Sequence, residues 1–264
     1  HLDEALTGKL TRFVDGGGSL ILSGASGMTH DEARFALPLS VQYDGTRRDA
    51  WPDYVAPDGG FAADVPRSPV VVYERPYFVK PQGNATVLGR AHDPYFDRSW
   101  EHFCSHQHAP PRPEPSDERD AIIRDGRVIY FAHPIFRAYA SSGQPLYRDL
   151  VGAALRTLVP QPVAKVEMPS AGRISLMKQE EQNRLLLHLL YAQPQLRGRG
   201  HRMANGGRID VEVIEDPVPI HDIPCTVAMA AKPSRVYRHS DGADIDFTYE
   251  EGAVRFAVEK VHIH

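Results

Sequence analysis

Apolar positions at Leu2, Ala5, Leu6, Leu10, Phe13 and Val14 recur close to the 3.6-residue period of one helix face. Asp15-Gly16-Gly17-Gly18 then stops that helix, because glycine supplies the positive-φ positions that end a helical run. Leu20-Ile21-Leu22 follows without any polar alternation, the pattern of a parallel strand covered on both faces. Phosphate-binding glycine loops lie after a strand and before a helix, the reverse of this order, so the triple glycine reads as a helix stop. This is the closing half of an α/β unit with no strand before it. The chain begins at His1, and the expectation is that it belongs to a longer protein.

Between Met28 and Pro115 no helical periodicity appears, and Val70–Tyr73 and Ala85–Leu88 read as short strands. Pro110 to Pro115 is proline-rich and predicts an extended, semi-rigid segment. Ala121–Arg124 and Arg127–Phe131 flank Asp125-Gly126, a strong hairpin signal. Pro145 suits a first helical turn, and Leu146, Leu150, Val151, Ala154, Leu155 and Leu158 mark one face of the helix behind it. Pro160-Gln161-Pro162 ends that helix and sets the expected boundary between domains at 1–160 and 161–264.

Beyond the boundary the pattern is all-β. Strands are predicted at Val163–Met168, Arg173–Met177, Arg184–Tyr191, Ile209–Ile214, Cys225–Ala230, Val236–His239, Ile245–Tyr249 and Val254–Val261. Glycine turns separate them at the spacing of an antiparallel β-sandwich, with Leu185–Leu190 as its expected central strand. Arg197 to Arg202, basic and glycine-rich, reads as a solvated loop. Val261 to His264 reads as a strand cut short, an expectation of trimming at this end also.

Composition narrows the function classes. At 264 residues and 42% hydrophobic, the chain can bury substantial cores. A formal net charge of -4 gives no global attraction to nucleic acid or an anionic membrane, and no apolar run is long enough to span a bilayer. Cys104 and Cys225 are too few for a disulfide framework, which favours a reducing, cytoplasmic setting.

The densest candidate chemistry is Trp100-Glu101-His102-Phe103-Cys104-Ser105-His106-Gln107-His108. His102, Cys104, His106 and His108 are competent zinc or copper ligands. In a strand they would spread over ~20 Å, however, and only neighbouring pairs could share a metal. Two readings stand above the metal: a satisfied, partly buried loop that packs the domain, and a pocket wall in which Trp100, Phe103 and the histidines stack on sugar rings or hydrogen-bond hydroxyls. Neither cysteine lies in the Gly-x-Cys-x-Gly elbow of an amidotransferase nucleophile. Glycosidase chemistry needs two converging carboxylates, and sequence alone does not bring any pair of Asp93, Asp97, Glu101, Glu215 and Asp216 together.

Phe13 to Gly24 resembles the helix-glycine-strand segment of the amidotransferase-like trimerisation domain of bacterial β-galactosidases. Glu101–His108, Gly126–His133, Leu187–Tyr191 and Val213–Asp216 are similar to stretches of β-galactosidase-like and α-L-fucosidase-like glycoside hydrolases. The resemblance implies a class I glutamine amidotransferase-like, flavodoxin-like α/β domain, incomplete at its N-terminus, followed by an antiparallel β-sandwich. It also implies that the catalytic carboxylates sit on an upstream barrel, so no catalytic residue is carried over. In such proteins this domain packs against the barrel and neighbouring subunits, commonly in a trimer, and its loops help close the active-site mouth.

The resulting expectation is a non-catalytic C-terminal portion of a bacterial glycoside hydrolase, requiring no cofactor. Its partners would be the upstream barrel, further copies of itself and carbohydrate. The substrate-facing residues would be Trp100, His102, Phe103, His106 and His108. Two alternatives stand beside it. One is a stand-alone metal-dependent hydrolase using His102, Cys104, His106 and His108. The other is a carbohydrate-binding module gripping glycan through exposed aromatics such as Tyr237 or Tyr249.

Overall fold

The computed structural model describes residues 1–46, 52–96, 99–102, 108–197 and 211–264, and the backbone of 201, 202, 208 and 209. It is mostly β with few helices, consistent with an architecture that contains a β-sandwich. It divides into two compact units, 1–161 and 162–264.

The first unit opens with α1 (Glu4–Asp15). Asp3 caps it by accepting the Leu6 N–H at 2.7 Å, and Gly17, at φ 93°, turns the chain out of it. Gly18 sits directly under the Phe13 ring, where an added Cβ would lie 2.4 Å from ring carbon. The expected buried face is narrower than its periodicity implies. Leu10 and Val14 rest half-buried against the sheet, whereas Leu6 and Phe13 are exposed, because only one edge of this helix meets the core.

The strands of this unit are β1 (Leu20–Ser23), β2 (Val41–Thr46), β3 (Asp53–Pro57), β4 (Val70–Val72), β5 (Tyr77–Pro81), β6 (Thr86–His92), β7 (Asp120–Asp125) and β8 (Val128–Phe131). Six of them form a sheet in the order β1-β8-β7-β6-β3-β4, and β2 pairs with β5 apart from it. The parallel strand read from Leu20–Leu22 is present, with Leu20 opposite Val128 and Ser23 opposite Phe131. Parallel pairing stops there. The neighbours β8-β7, β7-β6, β6-β3 and β3-β4 are all antiparallel; among the described residues no crossover helix lies between β3 and β8, and turns or longer loops join these strands instead. The hairpin expected at Asp125-Gly126 joins β7 to β8, with Gly126 at φ 56°.

Both faces of the sheet are covered. Ile122, Ile129 and Phe131 point toward α2 (Ile135–Ser142) and α3 (Pro145–Leu158), meeting Ile135, Tyr147, Leu150 and Ala154. Ile123, Val128 and Tyr130, their neighbours along the chain, point the other way onto Leu22, Val41 and Val79. That division explains why Ala121–Ile123 of β7 and the whole of β8 are apolar without alternation. Helix α3 begins at Pro145 as its sequence predicts; α2 is an addition, too short for a periodic signal.

The second unit contains β9 (Ala164–Val166), β10 (Gly172–Gln179), β11 (Arg184–Tyr191), β12 (Gln195–Leu196), β13 (His201–Arg202), β14 (Arg208–Ile209), β15 (Glu212–Val213), β16 (Ile220–Ala228), β17 (Phe247–Glu250) and β18 (Ala253–Val261). A four-stranded antiparallel sheet runs β17-β18-β16-β9. β11 is not its central strand. It pairs with β10 in a separate hairpin and lays Leu187, Leu189 and Tyr191 onto Ile223, Cys225 and Val261. The strand expected at Ile209–Ile214 is split, because β14 pairs with β13 and β15 with β12. The one expected at Val236–His239 is a turn, closed by Arg238 on Asp241 and Arg235 on Asp244, with a lone bridge from Tyr237 to Asp244.

Candidate functional site

Antiparallel folding brings the start of β3 and β7 and the ends of β1, β4, β6 and β8 to one edge of the six-stranded sheet. This edge is where the charge is buried. Asp53 opens β3, Arg119 immediately precedes β7, His133 follows β8, and Asp93 follows β6. Arg119 grips Asp53 in a fork, Nη1 to Oδ2 and Nη2 to Oδ1, both at 2.6 Å. Its Nη2 also donates to Asp93 Oδ1 at 2.6 Å, and its guanidinium lies 5.1 Å from the centre of the Phe78 ring. His133 Nε2 sits 2.5 Å from Asp53 Oδ2.

Burial opposes ionisation of Asp53 and is the largest single influence on it. The charges and hydrogen bonds of His133 and Arg119 together outweigh that penalty and hold the carboxyl below the usual carboxylate range. Asp53 is therefore a carboxylate, and His133 donates to it. Fully enclosed side chains engaged in this way are positioning groups rather than reactive ones.

What they position is a loop. Arg112 N–H donates to Asp93 O at 2.8 Å, Tyr95 N–H to Pro110 O at 3.1 Å, and His92 Nδ1 lies 3.0 Å from Arg112 O. A bridge pairs Pro94 with Pro111. The stretch between, 95–110, is thus closed at its base and pinned through Asp93 to the buried Arg119. It carries the histidine-rich motif singled out in the sequence.

Within that loop Trp100 is 89% exposed. His102 closes a turn with Ser99, donating its N–H to Ser99 Oγ at 3.2 Å and accepting the Ser99 N–H at 2.8 Å. Phe103, Cys104 and His106 lie outside the described residues, as does Asp97, and two members of the metal set of His102, Cys104, His106 and His108 therefore fall outside them too. Among the described residues no three His, Cys, Asp or Glu side chains gather into a metal-binding group. His108 is half-buried, its ring edge-on to Tyr73 at 5.7 Å and 6.2 Å from the buried Tyr54. Tyr73 in turn borders an open cleft of about 450 Å³ lined by Glu74, Arg75 and Arg137, in which Arg137 forks onto Glu74.

This edge therefore offers exposed aromatic surface and hydrogen-bonding groups, the combination that suits a sugar face. Among the described residues of this edge, the acids with a displaced pKa are both shifted downward. Asp53 is shifted down, and Glu101 is shifted down by its own backbone N–H and the Ser99 hydroxyl, whereas acid catalysis needs an upward shift. Of the other acids, Glu215 pairs with Arg197 on the second unit. Tyr237 and Tyr249 do not form an exposed aromatic grip. Tyr237 is half-buried, with Arg235 4.6 Å from its ring centre, and Tyr249 is tied by its hydroxyl to Met229 O.

Asp53, Arg119 and His133 were missed by sequence reasoning. A partial signal existed: the register that Asp125-Gly126 sets for β7 and β8, continued past their ends, puts Asp120 opposite His133 and so brings Arg119 and His133 to one end of the hairpin.

No protein-family model matches the chain, and no curated protein sequence does either. Among solved structures it is similar to the α-L-fucosidase isoenzyme 2 from Paenibacillus thiaminolyticus, with a TM-score of 0.87 and 30% sequence identity. The match covers 99% of this chain and 38% of that one. It supports a relationship to fucosidase-like glycoside hydrolases, and the chain spans well under half the length of the protein it matches.

Proposed function

We propose that this chain is the non-catalytic C-terminal portion of a fucosidase-like glycoside hydrolase, made of an amidotransferase-like α/β domain and a β-sandwich. Its work is assembly of the oligomer, a trimer in this reading, and shaping of the active-site mouth of a catalytic barrel elsewhere in the polypeptide. The observation that carries the proposal is the near-complete coverage of this chain by a minor part of an α-L-fucosidase. The loop from Trp100 to His108 is the surface that reaches the sugar. An indole as exposed as Trp100, on a loop whose base is locked by buried charge, is placed to stack on a ligand rather than to fill a core.

The reading is tested with a panel of nitrophenyl glycosides, comparing this chain with the full-length polypeptide, with and without zinc. Hydrolysis of the α-L-fucoside only by the longer protein is expected. In that protein Trp100→Ala lowers kcat/KM roughly tenfold, a loss of about 1.4 kcal/mol of transition-state binding. Turnover by this chain alone would overturn the proposal. Sedimentation of the full-length protein as a monomer would remove its assembly role.

A further inference from the structure

The second unit carries a pair of histidines that the proposed function does not use. Tyr191 N–H donates to Ile263 O at 2.7 Å, so the segment after β18 lies antiparallel to the end of β11. With Tyr191 opposite Ile263, residue 264 falls opposite Leu190, and His188 and His264 become diagonal neighbours on one face. Their rings stack at 20° with centroids 5.4 Å apart. His188 Nδ1 and His264 Nε2 face each other at 3.2 Å, with His264 exposed and His188 half-buried.

We propose that His188 and His264 form a two-histidine site for a borderline transition-metal ion, copper(II) or zinc(II). Two imidazole nitrogens bound to one zinc at about 2.0–2.1 Å in tetrahedral geometry lie about 3.3 Å apart. The observed spacing already meets that requirement, so binding demands little rearrangement of either strand. Imidazole nitrogen is a ligand suited to copper and zinc, and copper(II) binds the more tightly of the two. No third His, Cys, Asp or Glu among the described residues joins the pair, so water completes the coordination and the ion exchanges readily. Bound metal would clamp the segment after β18 onto β11, since the two ligands come from the two partners of that bridge.

The test uses this chain purified without a polyhistidine tag, titrated calorimetrically with copper(II) or zinc(II) at neutral pH. Thermal unfolding is followed in parallel. The expected result is saturable binding of about one ion per chain and a raised melting temperature with metal. His188→Ala and His264→Ala each weaken affinity roughly tenfold or more and abolish the thermal shift. Copper bound to the unaltered chain should show nitrogen hyperfine splitting from two imidazoles in its electron paramagnetic resonance spectrum. Absence of saturable binding would overturn the site. Equal binding by both variants would do the same and assign the metal to other histidines. Because neither residue belongs to the loop of the proposed function, failure here leaves that reading standing.

Discussion

The two units bury their apolar residues in opposite styles. In the first, one sheet is covered on both faces, and among the described residues clusters of seventeen and eight buried apolar residues flank it. In the second, among the described residues, four buried side chains hold a hairpin against a four-stranded sheet, and only partly buried residues surround them. Val163, Met177, Leu196, Ile214 and Val218 of that unit are each more than half exposed. A sheet covered by helices and strands can exclude water from both faces of its central strands; a short hairpin lying on one face excludes it from every second residue at best. The first unit can therefore accommodate buried charge and still be stable, which the second has too little apolar burial to do.

The strongest way to break this contrast is to attack the buried charge. Asp53→Ala strands Arg119 without its forked partner and should destabilise the first unit by about 3–5 kcal/mol, read from denaturant unfolding. The same group predicts an acid limit. Its folded-state pKa lies below the unfolded value, so its contribution is complete above an unfolded pKa of about 3.9 and is lost as pH falls through the folded value. Unfolding measured between neutral pH and pH ~2 should show that slope, and Asp53→Asn should flatten it.

Truncating the cores comes next. Ile129→Ala, at a residue with no exposed surface, should cost about 4 kcal/mol, because a sheet covered on both sides cannot collapse into the cavity. Leu189→Ala, at 7% exposure under a hairpin that can settle, should cost about 2 kcal/mol. Equal costs would show that the second unit is packed as tightly as the first. The smallest effect belongs to Trp100→Ala, which should leave stability within about 0.5 kcal/mol, in contrast to the loss of catalysis expected of it in the longer protein under the proposed function.

Where local chemistry decided the outcome, it was legible in the sequence: the Asp125-Gly126 hairpin, the proline at the start of α3 and the glycine stop of α1 stand where their residue types require. Where a distant partner decided it, the pattern was insufficient. Leu185–Leu190 is the most apolar run of the second unit and reads as a sheet centre, yet it lies in a separate hairpin because its neighbours in space are set by turns elsewhere. The candidate loop was visible from its histidines and tryptophan. The charged network that anchors it was not, since Asp53, Asp93, Arg119 and His133 are spread over eighty residues and look like ordinary surface positions.

The stem of that loop bears on its tolerance of change. Pro94 and Pro111 face each other across its base, and neither has an N–H with which to extend the ladder. The ladder at this point lacks two donors and is carried on by the Tyr95 N–H to Pro110 O bond, so the excursion hangs on a narrow stem. Doubling the length of such an excursion costs only about 0.6 kcal/mol in closure entropy. Changes of length or sequence in this segment can thus be accommodated while the sheet below stays unchanged.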